Sequence, residues 1–481
     1  MSLPEKFISS MKAYYTSHPA LSWEDFYKSF SEIPRKGVRL NSLKVKKEDV
    51  PFFLSLQEKV PWSENGFYAE DSAWGVSSYY HAGAFYIQEP SAMLPAEILA
   101  PKPGDRVLDL CAAPGGKATR LGEFLQNEGL LVANEISSER AKALLRNIEL
   151  FGIENVVITN ETPEKLSAAF SSFFDKILID APCSGEGMFR RDPQAIKSWE
   201  KYGPDFCREL QENILEQADR MLRVGGEMVY STCTFNTVEN EEQMDSFLER
   251  HPGYEVIKHP NIEGVLEANG RLFDGGMRIW PQNKGGDGHF CVHLRKIEEH
   301  NTKNHSYYPK KRKRNNNDRT YSARTAKEAF FLFCEEMMQK EAFEQYKNTV
   351  QDRFYLFGDK IHLFPILPES FDGLKVVKMG GFPGTVKRKG EQVIFIPSHS
   401  FAMTFSREQV KEKRYLSLQG DDERVGRYLF GETIFLKDEE KESLIEKGYF
   451  LLMIDGLPLG WGQRNGGSVK NEYPPAWRRR K

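Results

Sequence analysis

The sequence predicts an α/β protein: a doubly wound sheet over residues 101–297, with a small α/β unit before it and α+β, strand-rich units after it. Three observations predict it. Apolar runs of strand length recur along this stretch: Val107-Leu108-Asp109-Leu110, Leu130 to Asn134, Val156 to Thr159, Lys176 to Asp180 and Met228 to Cys233. Between them stand segments whose apolar residues repeat at helical spacing, as a parallel sheet with crossover helices requires. Two runs end on a carboxylate or a cysteine set in turn-forming or polar sequence, which is how a buried strand hands reactive side chains to a loop.

In chain order, residues 1–33 read as helical, with Phe7, Met11 and Tyr14 at helical spacing and Trp23, Phe26 and Phe30 repeating the pattern after Pro19. From Pro34 the texture changes. Val38, Leu40 and Leu43 fit short strands of a small α/β unit running to about residue 80, whose Arg39 and Lys44 face either phosphates or solvent. Gly83 to Met93 joins a strand-like run to a helix start, with Ser91 near the entry and Leu94, Ile98 and Leu99 on the apolar face; this closes a first region, residues 1–100. Within the sheet region, Thr119 to Leu125, Ser138 to Phe151 and Phe206 to Leu222 are expected helices, the second burying Ala141, Leu144, Leu145 and Ile148.

Residues 298–325 read as a basic linker, because Lys310-Lys311-Arg312-Lys313-Arg314 is too charged to bury. Residues 326–370 return to a globular pattern around Ala329-Phe330-Phe331-Leu332-Phe333, and residues 371–481 read as a strand-rich domain with many glycines. The chain finishes with Gly460-Trp461-Gly462, Tyr473-Pro474-Pro475 and Trp477-Arg478-Arg479-Arg480-Lys481. Aromatics interleaved with basic residues are what stacking on unpaired bases and contact with phosphates require.

Composition narrows the class. A chain of 481 residues is long enough for about three domains. It contains no run of about 18 apolar residues, and Met1 to Lys12 lacks the apolar core of a signal peptide, so a cytoplasmic protein with no membrane partner is expected. Its 6 cysteines form no Cys-x-x-Cys pair and no Cys/His cluster of zinc-ligand spacing, so neither disulfides nor a metal is expected. The net charge of -3 does not announce a nucleic-acid partner; the basic run and the basic tail do.

Two stretches carry chemistry. The loop Cys111-Ala112-Ala113-Pro114-Gly115-Gly116-Lys117 follows a strand and opens a helix, so small residues let a ligand approach the backbone and its amides. It is no Walker loop, since Cys111 stands where the first Gly is needed and Ala118 where Ser or Thr should follow the Lys. About twenty residues on, the next strand ends at Asn134-Glu135, the spacing at which an acid accepts ribose hydroxyls. A Gly-rich turn with a ribose-binding acid and no phosphate grip fits S-adenosylmethionine.

The second stretch is a pair: Asp180-Ala-Pro182-Cys183-Ser-Gly185-Glu-Gly187 and, about fifty residues later, Ser231-Thr232-Cys233-Thr234. A thiolate beside S-adenosylmethionine suits methylation of a pyrimidine at carbon 5. Addition to carbon 6 turns the ring into an enamine whose carbon 5 accepts a methyl group, and a base must then remove the carbon 5 proton. A free thiol has a pKa of about 8.5, so the site must lower that value or take the proton during attack.

On these residues the chain resembles the RNA 5-methylcytosine methyltransferases of the NOL/NOP/Sun type. The likeness rests on Cys111 to Lys117, on the Asp180 to Gly187 motif and on Ser231 to Thr234. Arg39-Leu-Asn-Ser-Leu-Lys44 and Ile87-Gln-Glu-Pro-Ser91 are similar to that family's N-terminal signatures. Met188-Phe189-Arg190 and the tail from Trp461 to Trp477 resemble its bacterial ribosomal-RNA branch, the RsmF-like enzymes.

The resemblance implies a Rossmann-like methyltransferase domain, an RNA-binding N-terminal domain, a PUA-like C-terminal domain, S-adenosyl-L-methionine as cofactor, and 16S ribosomal RNA or the small ribosomal subunit as partner of a monomeric enzyme. It implies that Cys233 is the nucleophile and that Cys183 assists proton removal and release. Asp180 would lie between cofactor and cytosine, and Pro182 would offer its carbonyl to the exocyclic amine. The implied cofactor set is Cys111, Ala112, Ala113, Pro114, Gly115, Gly116, Lys117, Glu135, Arg140, Asn160 and Asp180. Where the family usually offers an Asp near the adenine this chain has Thr159-Asn160-Glu161-Thr162, leaving that contact to Asn160 or Glu161. DNA methyltransferases attack from the Pro-Cys loop, so Cys233 decides for RNA. The alternatives are the same chemistry on transfer RNA, or a catalytically silent RNA-binding assembly factor, which should show damage at Glu135, Asp180 or Cys233 and here shows none.

Overall fold

The computed structural model of the protein describes residues 3–69, 72–283, 286–298, 321–366, 368–466 and 468–479. The basic run from Lys310 to Arg314, expected to be linker, lies outside the described residues, as do Arg480 and Lys481 at the tail.

Five parallel strands make the centre, in the spatial order Leu222–Thr232, Phe174–Asp180, Arg106–Asp109, Leu130–Asn134, Val156–Thr159. Both faces are apolar because successive side chains alternate. Val107, Leu131, Val156 and Leu178 meet Leu121, Leu125, Leu144 and Ile148 of helices Gly116–Leu125 and Arg140–Phe151. Leu108, Val132, Val157 and Ile177 point the other way, under Leu166, Ile214, Leu215 and Phe247 of helices Pro163–Ala169, Pro193–Met221 and Glu241–Arg250. Each fully buried aliphatic side chain contributes roughly 1.5–3 kcal/mol. The chain leaves Arg106–Asp109 toward Leu130–Asn134 and returns on the opposite side through Phe174–Asp180. The strand order therefore reverses there, which opens a crevice at the carboxyl ends where ligands bind.

The sheet is mixed rather than wholly parallel. His289–Lys296 pairs antiparallel with Leu222–Thr232, and Val376–Met379 pairs antiparallel with Val156–Thr159 at the other edge. The second of these comes from the region the sequence assigns to the C-terminal domain; four residues of strand character carry no signal of which sheet they join. A four-stranded sheet of Phe354–Phe357, Lys360–Leu363, Gly381–Lys389 and Gln392–Pro397 likewise runs across residue 370. A five-stranded sheet built on Tyr415–Leu418, Lys447–Ile454 and Leu457–Asn465 completes the C-terminal part. The helix expected from Phe206 starts earlier: Pro193–Met221 is broken at Gly203, φ 69°, where Pro204 can neither donate to the ladder nor tolerate the preceding turn.

The N-terminal arm is helical over Glu5–Ser17 and Trp23–Ser29, with the Ser22 side chain accepting from the Asp25 amide at 3.1 Å. Phe7, Met11, Tyr15 and Phe26 are buried against Phe189, Phe235 and Trp280, so the arm packs behind the two cysteine loops; Tyr15, not Tyr14, completes the buried face. A three-stranded antiparallel sheet, Gly66–Tyr68, Gly37–Leu40 and Phe85–Gln88, follows.

Two sequence expectations change here. Arg39 and Lys44 face neither phosphate nor open solvent: Arg39 is fully buried and pairs with Glu123, while Lys44 Nζ donates to the Ala82 and Leu150 carbonyls at 3.0 and 2.6 Å. Trp461 and Tyr473, read as candidates for base stacking, are core residues. Trp461 Nε1 donates to the Ser398 carbonyl at 2.7 Å, and the Tyr473 hydroxyl lies 3.1 Å from His81 Nδ1. Aromatic size drives burial whenever a neighbouring module supplies a surface, which sequence spacing does not reveal. No helix of the described residues is long and apolar enough to cross a membrane.

Candidate active site

The parallel strands Phe174–Asp180 and Leu222–Thr232 are in register with Asp180 opposite Ser231, so the loops that follow start side by side. Cys183 and Cys233 lie in those loops with their sulfurs 3.3 Å apart, both free thiols. The Cys233 sulfur, followed by burial and the Glu239 charge, pushes the Cys183 thiol well above its ordinary pKa.

Buried carboxylates tie the loops together. Glu239, fully buried, accepts from the Ser184 amide at 2.9 Å, from Gln211 Nε2 at 2.8 Å and from Asn236 Nδ2 at 2.8 Å. Glu186 accepts from the Phe235 and Asn236 amides at 2.8 and 2.9 Å and from Trp199 Nε1 at 3.0 Å. Each carboxylate thus joins the Cys183 loop to the Cys233 loop. Gly187 is needed where they touch: its amide donates to the Cys233 carbonyl at 2.9 Å, and a Cβ there would stand 2.9 Å from that same oxygen. Gln211 Nε2 also donates to the Pro182 carbonyl at 3.0 Å, which fixes that carbonyl and leaves one lone pair for a ligand.

Asp180 sits between this pair and the Cys111 loop. Lys117 Nζ donates to it at 2.7 Å and Ser231 Oγ at 2.9 Å, and His289 Nε2 stands 3.4 Å away. Burial opposes its charge, but Lys117 and His289 outweigh that and hold it well below the usual carboxylate range. Burial likewise opposes charge on Lys117, which Asp180, with the Cys233 sulfur and Asp109, raises above its ordinary value. The result is a fixed ion pair with 32% of the carboxylate side chain still open.

Family models match the chain end to end: the N-terminal domain of 16S rRNA methyltransferase RsmF over residues 3–90, 16S rRNA methyltransferase RsmB/F over 96–295, the RsmF first C-terminal domain over 333–405, and the methyltransferase RsmF PUA domain over 415–479. Ribosomal RNA small subunit methyltransferase F of Aeromonas salmonicida is 31% identical over 98% of this chain and 96% of its own length. The chain belongs to the RsmB/F family of 16S rRNA methyltransferases. The Shewanella loihica protein of the same name is 30% identical over 98% of this chain and 94% of its own. Among solved structures, PH0851 superposes with a TM-score of 0.54 at 26% identity, covering 61% of this chain and 66% of its own. NSun6 from Pyrococcus horikoshii with SFG does so with a TM-score of 0.51 at 21% identity, covering 62% and 99%, and shares the fold.

This methyltransferase is therefore an enzyme, with S-adenosylmethionine as its cofactor. The residues present fit that molecule. Asp109 is buried and no side chain hydrogen-bonds to its carboxylate among the described residues; the Lys117 charge and the Cys111 amide favour its ionised form. Burial, then the Asp180 charge, push Asp109 up to about 8, and a cationic ligand beside it would favour its ionised form. The Ala112 to Gly116 turn is held by Arg140 Nη2 on the Ala113 carbonyl at 2.6 Å and Asn147 Nδ2 on the Pro114 carbonyl at 2.8 Å, and Gly115 takes φ 114°. Glu135 is buried at its strand end, 3.4 Å from Arg140, with one oxygen on the Ser137 amide at 2.8 Å.

Asn160 meets the expected cofactor residue Glu135 at its backbone. Its Nδ2 donates to the Glu135 and Ile136 carbonyls at 2.7 and 2.8 Å, and its Oδ1 accepts from Lys375 Nζ. Glu161 accepts from Lys165 Nζ at 2.9 Å and from the Lys375 amide at 2.7 Å. Both side chains are thus engaged within the protein. Sequence reasoning missed Gln211, Glu239, Glu186, His289 and Lys375. Glu186 and Glu239 stand close to the cysteines in the chain, but their partners in the opposite cysteine loop lie about fifty residues away, and no local pattern encodes such pairing.

Proposed function

We propose that this methyltransferase methylates carbon 5 of cytosine in 16S ribosomal RNA, in the cytoplasm, through a covalent bond between Cys233 Sγ and carbon 6. The observation that carries the reading is the meeting of two free thiols at 3.3 Å beside the Lys117–Asp180 ion pair. Bound S-adenosylmethionine supplies an electrophilic methyl group. Cys111 to Lys117, Glu135 and Arg140 form its cradle, and Asp180 bounds it on the side of the base. Asn160 serves it indirectly, through the Glu135 turn.

Cys233 loses its proton to solvent as its sulfur bonds to carbon 6. The ring electron pair moves to carbon 5, and Lys117, kept cationic, offsets charge that builds on the ring. The Pro182 carbonyl, steadied by Gln211, accepts from the exocyclic amine and distinguishes cytosine from uracil. After carbon 5 is methylated its proton passes to solvent, the C–H electron pair restores the 5,6 double bond, the sulfur–carbon 6 bond breaks, and the Cys233 thiolate is restored. Cys183, kept a neutral thiol by its raised pKa, assists this last step by offering its S–H to the departing Cys233 thiolate. The target base must leave its stack to enter, and the outer domains hold the surrounding RNA.

The test is bisulfite sequencing of 16S ribosomal RNA after reaction with the full-length protein and with Cys233→Ala. Expected is at least one converted-resistant cytosine, lost in the variant by on the order of a thousandfold in rate while cofactor binding survives. Near-normal turnover by Cys233→Ala, or methylation of transfer RNA alone, would overturn the reading.

A further inference from the structure

The carboxyl end of Val156–Thr159 abuts a segment more than two hundred residues later in the chain. The Asn160 amide donates to the Lys375 carbonyl at 2.9 Å, the Lys375 amide donates to Glu161 Oε1 at 2.7 Å, and Lys375 Nζ donates to Asn160 Oδ1. Strand Val376–Met379 continues the contact along the sheet edge, and the Gly380 amide closes it on the Val156 carbonyl at 2.9 Å.

The chemistry of an amide gives the lysine a specific effect. An ammonium has three donors and no acceptor, so Lys375 can face Asn160 only through Oδ1. That choice turns Nδ2 toward the Glu135 and Ile136 carbonyls, where it makes bonds of 2.7 and 2.8 Å. Asn160 is 7% exposed and Lys375 is exposed, so the amide is anchored inside the protein through Nδ2 and held at its rim through Oδ1. The turn after Glu135 is thereby braced by a residue of the C-terminal region.

We propose that Lys375 is a positioning residue for the cofactor site: it orients Asn160, which fixes the Glu135 turn that receives S-adenosylmethionine. The proposal rests on that molecule being the cofactor and not on the cytosine chemistry. It makes the C-terminal region a part of the cofactor site as well as a holder of RNA. Occupancy of the cofactor site and the seating of strand Val376–Met379 are then linked.

The test uses the full-length protein without RNA, with S-adenosylmethionine affinity read by titration calorimetry. Lys375→Met keeps the alkyl stem and removes the ammonium; expected is a rise in Kd of about threefold to fivefold, what one solvent-screened charged contact yields, with Lys375→Arg restoring most of it. In steady state the KM for S-adenosylmethionine should rise alike, with kcat at saturation and the KM for RNA unchanged. Asn160→Ala should raise Kd at least as much, and adding Lys375→Met to it should do nothing further. Unchanged cofactor affinity in Lys375→Met, or additive effects of the two substitutions, would overturn the proposal. A defect in RNA binding alone would do so equally. Failure of the cytosine reading would leave every one of these binding results as expected.

Discussion

The two ends of the site are braced in different ways. At the thiol end the polar ties are internal: Glu239, Glu186 and Gln211 stitch together two loops that leave neighbouring strands, with the N-terminal arm packed behind them. The proposed cofactor end takes polar ties from other modules as well as from its own domain. Arg39, from the N-terminal sheet, reaches the cofactor helix, donating to the Gly116 carbonyl at 2.9 Å and Thr119 Oγ1 at 2.8 Å and pairing with Glu123; Lys375 reaches the opposite side from the C-terminal region. Reacting atoms need sub-ångström placement, which a short covalent path through one sheet provides. A cofactor must enter and leave, and clamps borne by separate modules can couple that traffic to RNA engagement.

The difference can be broken from either side. The largest effect is expected at Arg39: Arg39→Met strands Glu123 with less than its full set of cations in a buried site and should cost about 3 kcal/mol of stability by denaturant titration, with weaker cofactor binding. Equal damage to kcat at saturating cofactor would erase the distinction between the two ends. Next is Glu239→Gln, which puts an amide donor where Ser184, Gln211 and Asn236 already donate. Single-turnover kinetics should show kcat lower by about a hundredfold with cofactor affinity unchanged.

The smallest effect concerns Asp109. Because burial raises this acid to about 8, the folded protein holds it protonated below that value, and its cost to folding grows as pH climbs from the ordinary carboxylate range to about 8. A cationic ligand favours the carboxylate, so cofactor affinity should rise severalfold between about pH 6 and about 8 and then level off. Asp109→Asn should flatten that rise in calorimetric titrations; an unaltered slope would remove Asp109 from the site.

The sheet was legible in the sequence because its strands are apolar on both faces and its helices carry one apolar stripe, patterns that local spacing exposes. The two cysteine loops and the Cys111 loop were legible for a related reason: strand ends are marked by abrupt changes of texture, as at Asp180-Ala-Pro182-Cys183. What stayed hidden is long-range pairing. Arg39 reads as a surface cation until Glu123, 84 positions on, is seen opposite it. Trp461 reads as a stacking platform until Ser398 and Phe405 cover it. The sequence offers Asn160 or Glu161 for the adenine and gives no sign that Lys375, more than two hundred positions on, bonds to both. Each depends on how modules dock, which no periodicity within a module records.

The covalent step is reached most directly through Cys183→Ala, incubated with 16S ribosomal RNA and S-adenosylmethionine, digested with nuclease and analysed by mass spectrometry after a denaturing gel. Expected is a denaturant-stable adduct whose cytidine derivative lies on the peptide bearing Cys233. An adduct on any other residue would contradict attack by Cys233, and methylated RNA with no adduct would undo the release role of Cys183.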